Sequence, residues 1–254
     1  MIGPELARLT RAELEAMSAC GRSVAECQAA LGERGGILAA ALKGEAVEEW
    51  RHYPGGDVFD PATHAQYFYH LHPPGERGPD EHGHFHTFLR ARGMPADVRP
   101  LVMPELAIAG SPDAPTLIPS APQAHEDGDP WCHLVAIVMN HAGVPIRLFT
   151  TNRWVTGETW YRASDVAGML DRFSVARPGG ASLLDRWVTA MLGLYRPQIA
   201  ALIEARDAAV MSWRRRRRGK VHVFDDRRLE ITSALEIDTA MQRAAVEAAL
   251  RAVM

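Results

Sequence analysis

The stretch "EHGHFHTFLR", residues 81–90, places a histidine at every second position, and "QYFYHLH", residues 66–72, ends with two more at the same spacing. Five of the eleven histidines therefore fall within residues 70–86. Side chains two residues apart in a β-strand point to the same face, with Cα atoms roughly 6.5–7 Å apart. Both stretches are rich in aromatic residues, which favours strands. The sequence predicts two neighbouring strands, of which one presents His70 with His72 and the other presents His84 with His86.

The segments around these strands indicate how the β-rich part continues. "HYPGGDVFDPATH", residues 52–64, is expected to be a loop, because Pro, Gly and Asp punctuate it. "CHLVAIVMN", residues 132–140, and "VPIRLFTTNRWV", residues 144–155, flank a Gly-containing turn. Two β-rich runs around such a turn predict a hairpin.

Both ends of the chain are predicted to be helical. Thr10 and Glu13 fit a capping box at the start of a helix, and residues 183–194 repeat apolar side chains at helical spacing. "ITSALEIDTAMQRAAVEAALRAV", residues 231–253, is expected to form one or two amphipathic helices. We therefore predict an α+β fold, in which a small antiparallel sheet carries the histidine cluster and N-terminal and C-terminal helices pack on it. We expect a single domain over residues 1–254, with a helical part at 1–50, a β-rich part at 51–163 and a helical part at 164–254.

Composition excludes several classes of partner. The formal net charge is −3 and the isoelectric point is about 6.4, so the chain as a whole has no attraction to nucleic acid or anionic membrane. The block "RRRRRGK", residues 214–220, is interpreted as a solvated helix end. No apolar run approaches the roughly 18 residues of a spanning helix, and the first residues lack the apolar region of a secretory signal. The three scattered cysteines favour a reducing compartment, so we expect a cytoplasmic protein without membrane or nucleic-acid partners.

The histidines predict a metal site. Aromatic residues on both strand faces indicate that the sheet is covered on both sides, and a buried imidazole needs a partner. Neutral imidazole binds iron, copper or zinc, and two pairs on adjacent strands could surround one ion. His133 is expected in phase with Val135, Ile137 and Met139, and it is a fifth candidate ligand. Two alternatives stay open, a haem pocket that uses one or two of these rings and a histidine network without metal.

Further site residues are predicted from the surrounding segments. Glu81 lies beside the histidines, where a carboxylate could serve as a general base or hydrogen-bond to a ligand. Tyr53 could reach into a pocket from its turn. Asn152, Arg153 and Trp154 could form a substrate wall, since pockets combine apolar surface with a few polar groups. Each also has a simpler interpretation, as a solvated acid, a turn residue or core packing.

These observations predict a metal-dependent enzyme that acts on a small organic substrate. No GxGxxG, Walker, HExxH or GxSxG motif is present, which removes several common enzyme classes. Oxygen-activating chemistry is favoured over hydrolysis, because the site is aromatic and rich in histidine without an obvious general base. The alternative is a non-enzymatic haem- or metal-binding protein that serves storage, delivery or sensing.

The strings "HYPGGD", "QYFYHLH" and "EHGHFHTF" resemble those of an uncharacterised bacterial family, a domain of unknown function of about this length. The resemblance extends from about His52 to Glu158. It implies no activity, so it assigns no role to any residue.

Overall fold

The computed structural model describes residues 6–101, 130–177, 179–216 and 222–253. Within these ranges the chain forms one antiparallel sheet and helices at both ends. The strands are β1 (Tyr53–Phe59), β2 (Ala65–His70), β3 (Glu81–Arg90), β4 (Trp131–Asn140), β5 (Pro145–Thr151) and β6 (Ile231–Glu236). The helices are α1 (Arg11–Gly32), α2 (Gly36–Leu42), α3 (Arg153–Thr156), α4 (Ala163–Met169), α5 (Leu183–Leu194), α6 (Arg196–Arg216) and α7 (Thr239–Ala252).

The six strands lie side by side in chain order, each antiparallel to the next. Helices α3 to α6 connect β5 to β6, which forms one edge of the sheet. The predicted α+β fold with an antiparallel sheet is confirmed, as is the hairpin formed by β4 and β5.

One face of the sheet carries the main hydrophobic core. Tyr67 and Tyr69 of β2 point to the face opposite His70 and are fully buried, as is Phe85 of β3. The Phe85 ring lies 5.5 Å from that of Trp187 in α5, between ring centroids. Helix α1 begins at the predicted capping box, in which the Thr10 hydroxyl accepts from the backbone N–H of Glu13. The helices thus fix one face of the sheet and leave the opposite face for the histidines.

Two segments differ from the sequence prediction. Residues 53–59 form edge strand β1, not a loop, and their pairing with β2 is irregular between Tyr53 and Val58. The irregularity holds Gly56 at φ 84° and Asp57 at φ 58°, and edge strands tolerate Pro, Gly and bulges of this kind.

The second difference is at the C-terminal end. Residues 231–236 form β6 and pair with β5, whereas a helix was expected there. Helix α7 begins only at Thr239, after Asp238 accepts the N–H groups of Ala240 and Met241. The helical pattern therefore begins only at α7. The segment before it, which starts with the β-branched Ile231 and Thr232, forms a strand instead.

The arginine block continues the end of helix α6. Arg214, Arg215 and Arg216 are exposed in its last turn, where positive charge is favourable. Residues 217–220 of the block lie outside the described ranges. Of the helices that are described, none is both long and apolar enough to cross a membrane.

Candidate metal centre

Four histidines meet on the sheet face opposite the main core. His70 of β2 pairs directly with His84 of β3, and Phe68 pairs with His86. Residues paired across antiparallel strands share a face, so the two strands bring His70, His84 and His86 together. His72 follows β2 by two residues, and its ring centroid lies 4.9 Å from that of His70 and 5.1 Å from that of His84.

Three ring nitrogens converge at the centre of this cluster. The Nε2 atom of His84 lies 2.7 Å from Nε2 of His70 and 3.0 Å from Nε2 of His86. One nitrogen each of His70, His72 and His84 also lies within 4.8 Å of the other two. His70 and His84 are 9% exposed and His86 is 2% exposed, so little water reaches these atoms.

The rings are neutral at ordinary pH. Burial, reinforced by the neighbouring imidazoles, holds the pKa values of His70, His84 and His86 well below their usual range. Burial also lowers the pKa of His72 to about 4. A neutral imidazole carries one N–H and one lone pair. These rings therefore offer lone pairs, which a metal ion requires.

Hydrogen bonding alone cannot satisfy the three converging nitrogens. The Nε2 atom of His84 has either one hydrogen to donate or one lone pair to accept with, but two neighbours approach it. Nitrogens bound about 2.0–2.1 Å from one ion lie about 2.9 Å apart at right angles and about 3.4 Å apart in a tetrahedron. The observed separations suit neighbouring positions around one ion, and an ion would use all three lone pairs at once.

His133 lies behind the cluster. Its Nε2 atom is 2.9 Å from Nδ1 of His86, and its Nδ1 atom is 3.4 Å from the Thr151 hydroxyl. The expected phase was wrong: the β3–β4 register shifts between Thr87 and Phe88, so that Val135 pairs with Thr87 but His133 pairs with Phe88. Because of this irregularity, His133 lies on the histidine face of the sheet, whereas Val135 lies on the core face. His133 contacts Nδ1 of His86, the ring nitrogen that does not take part in the convergence, and so helps to orient the His86 ring.

A pocket of about 170 Å³ opens beside the cluster. His72, His84 and His86 line it, together with charged residues and the apolar Phe149 and Val155. Glu81, predicted near the histidines, does lie in this pocket, where its carboxylate is paired with Arg147.

Tyr53 and the predicted substrate wall lie elsewhere. The Tyr53 ring is fully buried, and its hydroxyl donates to the carbonyl of Ala46 and accepts from the N–H of Glu48. The Tyr53 side chain lies on the core side of the sheet, because Tyr53 pairs with Tyr69, whose side chain is on that side. The structure therefore does not bring it to the histidines.

The polar groups of the predicted substrate wall bind to other parts of the protein rather than facing the pocket. Asn152 caps α3 and donates to the carbonyl of Val223, while Trp154 donates to the carbonyl of Leu229. Arg153 pairs with Asp225. None of these three side chains is among the residues that line the described pocket, but their neighbours Thr151 and Val155 are.

The sequence interpretation missed other residues around the cluster. His52 stacks on Phe68 with ring centroids 3.6 Å apart, and its Nδ1 atom lies 2.9 Å from a carboxylate oxygen of Asp57. His52 was missed because residues 52–64 were expected to form a loop. Without a strand there, the sheet face to which His52 points could not be assigned. If β1 had been predicted, the pairing of Tyr53 with Tyr69 would have placed the preceding residue, His52, beside His70.

Glu158 was also missed as a site neighbour. It is fully buried and accepts the backbone N–H of His133 at 2.9 Å. Burial raises its pKa to about 7, against the opposing charge of Arg206. Its position behind His133 depends on the turn after α3, which the local sequence pattern does not specify.

Comparison with known proteins adds the family but no activity. No curated protein and no solved structure matches the chain. A family model described as a domain of unknown function matches residues 18–237, which include all six strands and the whole histidine cluster. The chain therefore belongs to this family, the domain of unknown function DUF6969.

Proposed function

We propose that the cluster binds one transition metal ion and that the protein is a metal-dependent enzyme acting on a small organic substrate. His70, His72, His84 and His86 would hold the ion. The observation that carries the proposal is the convergence of three buried Nε2 atoms, 2.7 Å and 3.0 Å apart, on rings that burial keeps neutral.

The donor set favours iron, copper or zinc. Imidazole nitrogens suit these ions, whereas calcium and magnesium prefer oxygen ligands. The nearby carboxylate of Glu81 is paired with Arg147 and so is not free to join the nitrogens. A cluster of neutral imidazoles also leaves the full positive charge of the ion available to polarise a bound molecule.

The pocket supports an enzyme over a closed storage site. His72, His84 and His86 line it, so a small molecule in the pocket would meet the ion from the open side. Arg147 would orient an anionic or carbonyl group of that molecule, and the aromatic ring of Phe149 would cover its apolar part. The ion, when bound, would supply Lewis acidity or bind oxygen.

Oxygen-activating chemistry is favoured over hydrolysis by the state of Glu81. Its carboxylate is engaged in an ion pair with Arg147, so it is not free to take a proton from a water molecule. The pairing therefore supports a role for Glu81 in holding Arg147 in the pocket. Hydrolysis would instead have to use Glu76 or Glu230, the two other carboxylates that line the pocket.

A haem site is the less favoured alternative. A haem held by two of these rings would need their nitrogens about 4 Å apart, whereas the nitrogens here lie 2.7 Å and 3.0 Å apart. A haem held by one ring would leave the other converging nitrogens without a partner. A non-enzymatic metal-binding protein would share the ligands but turn over no substrate.

The test is metal analysis of the full chain purified without an affinity tag of histidines, together with its visible spectrum. We expect close to one equivalent of iron, copper or zinc, either as purified or after reconstitution with each ion. A Soret band with bound porphyrin would replace the proposal with haem. No uptake of any of the three ions would overturn it. Oxygen consumption by the loaded protein with a panel of small aromatic and carbonyl compounds would then identify an oxygen-activating enzyme.

A further inference from the structure

A chain of hydrogen bonds leads from Arg90, at the end of β3, to His52 beside the histidine cluster. Arg90 donates from Nε to the side-chain oxygen of Gln66 at 2.7 Å. The side-chain nitrogen of Gln66 donates to Oδ2 of Asp57 at 2.6 Å, and Oδ1 of Asp57 lies 2.9 Å from Nδ1 of His52. Gln66 is fully buried and Arg90 is 3% exposed, whereas the side chains of Asp57 and His52 are 10% and 15% exposed.

This chain fixes the tautomer of His52. The Gln66 oxygen receives the Arg90 N–H, so its amide nitrogen must face Asp57. A carboxylate can only accept, so Nδ1 of His52 carries the hydrogen that is donated to Asp57. In the neutral ring the Nε2 atom of His52 is then an acceptor with a free lone pair.

His52 and His70 each have a buried nitrogen without a partner. These atoms are Nε2 of His52 and Nδ1 of His70, and neither has a hydrogen-bond partner among the described residues. The two rings are neighbours across β1 and β2, with centroids 5.7 Å apart at an interplanar angle of 68°. Both rings also contact Phe68, with centroid distances of 3.6 Å for His52 and 5.4 Å for His70.

The two unpartnered atoms are complementary once His70 binds a metal. Binding through Nε2 places the hydrogen of His70 on Nδ1, which becomes a donor. The neighbouring Nε2 of His52 is an acceptor for the reason given above. Metal-bound histidines almost always donate their second ring N–H to an acceptor, commonly a carboxylate, a backbone carbonyl or a water, which fixes the orientation of the ring and strengthens the ligand.

We propose that Asp57 and His52 form a relay that holds His70 in its metal-binding tautomer, with the buried Nε2 atom of His52 accepting the Nδ1 hydrogen of His70 directly or through one water. The inference rests on the proposed metal site. His52 is a positioning residue in it, not a ligand, and Gln66 and Arg90 fix the outer end of the relay.

The test compares metal affinity and ligand count in three forms of the full chain. His52→Phe keeps the aromatic stack on Phe68 but removes the acceptor. Asp57→Asn keeps His52 and suits the backbone, because Asn tolerates the positive φ of this position. His222→Phe, at an exposed histidine, is the control.

Each form is titrated with Zn²⁺ and, separately, loaded with Cu²⁺ for pulsed electron paramagnetic resonance, which counts coordinated imidazoles. We expect His52→Phe and Asp57→Asn to bind Zn²⁺ about 10- to 100-fold more weakly than the control, with an unchanged number of imidazoles on Cu²⁺. If His52→Phe fails to fold, Asp57→Asn carries the same comparison.

The outcomes separate the two proposals. Unchanged Zn²⁺ affinity in both variants would overturn the relay and leave the metal site intact. Loss of one coordinated imidazole in His52→Phe would also overturn it, because His52 would then be a ligand. Failure of the unaltered protein to bind either ion would overturn the metal site itself and the relay with it.

Discussion

The Nε2 atoms of His70 and His84 lie 2.7 Å apart across strands β2 and β3, at a position where the two residues pair directly in the sheet. Since His86 approaches the same His84 nitrogen at 3.0 Å, His84 is the centre of the cluster. The antiparallel register creates this arrangement, because paired residues share a face and lie close together. The proposed ligand set therefore depends on strand pairing, and changes to either the rings or the pairing should weaken metal binding.

His84→Ala should abolish stable metal binding. The change removes the nitrogen that both neighbours approach, so the loss of affinity should exceed the roughly 10- to 100-fold typical of changes behind a ligand. His222→Ala, at an exposed histidine, is the matched control and should bind the metal normally. Titration calorimetry with Zn²⁺ on both variants makes the comparison. Equal affinity in the two would show that His84 is not a ligand.

Gly83→Ala should disturb the cluster without touching a histidine. A Cβ atom at Gly83 would lie 2.4 Å from the backbone oxygen of His70 and 2.7 Å from the Tyr69 hydroxyl, so β2 and β3 would have to separate. We expect a loss of about 1–3 kcal/mol in the free energy of unfolding and weaker metal binding.

The control for this change is Gly168→Ala. Gly168 lies in α4 with open space where its Cβ would be, so alanine there should be neutral or stabilise by up to about 1 kcal/mol. Urea unfolding of both variants measures the difference. A Gly83→Ala protein as stable as Gly168→Ala would mean that the strands can move apart at little cost.

The histidine pairs could be predicted because a strand has a simple period of two. Alternation alone places His70 with His72 and His84 with His86, and the aromatic residues between them mark a covered sheet. The face of His133 could not be predicted in this way, because a single irregularity in the β3–β4 pairing reverses it.

The role of His52 could not be predicted for a related reason. Its segment contains Pro54, Gly55, Gly56 and an Asp57 at positive φ, all of which indicate a loop in isolation. The strand forms because Tyr53 and Val58 pair with β2 on either side of the irregular residues. Long-range pairing overrides the local signal here, and it carries His52 to the site.

Acid should destabilise the metal-free protein. The pKa values of His70, His84 and His86 are held well below their usual range, and those of His72 and His133 fall to about 4 and about 3. In the unfolded chain these groups titrate near about 6.5, so below that pH the unfolded state binds more protons and is favoured.

Each such histidine therefore lowers the free energy of unfolding by up to about 1.4 kcal/mol per pH unit as the pH falls from about 6.5 towards its folded pKa. Urea unfolding of the metal-free protein at pH 7.5 and pH 5 tests this. A variant with His84 and His86 replaced by Gln should lose less stability over the same interval. The same loss in both proteins would show that other groups control the acid response.

Tyr53→Phe should leave metal content unchanged while lowering stability. The Tyr53 hydroxyl bonds the backbone at Ala46 and Glu48, on the core side of β1. Its removal should cost about 0.5–1.5 kcal/mol, because the N–H of Glu48 and the carbonyl of Ala46 lose this partner. Metal analysis and urea unfolding of the variant measure the two effects. A selective loss of turnover in a stable, fully loaded variant would restore Tyr53 as a catalytic residue.

Glu158→Gln should stabilise the protein in mild alkali more than in mild acid. Burial raises the pKa of Glu158 from 4.5 to about 7. The folded state therefore holds its proton more tightly than the unfolded chain, and this contribution to stability is present below about 4.5 and is lost as the pH rises through about 7. Glutamine keeps an oxygen for the N–H of His133 but does not ionise.

The free energy of unfolding of Glu158→Gln relative to the unaltered protein should therefore rise by up to about 3 kcal/mol between pH 5 and pH 8. Comparing the two proteins cancels the histidine effect, since both contain the same cluster. The same measurement on Glu33→Gln, at an exposed carboxylate, is the control. A Glu158→Gln difference as flat as that of Glu33→Gln would mean that water or a nearby charge stabilises the Glu158 carboxylate, and that the region behind His133 is less dry than its burial indicates.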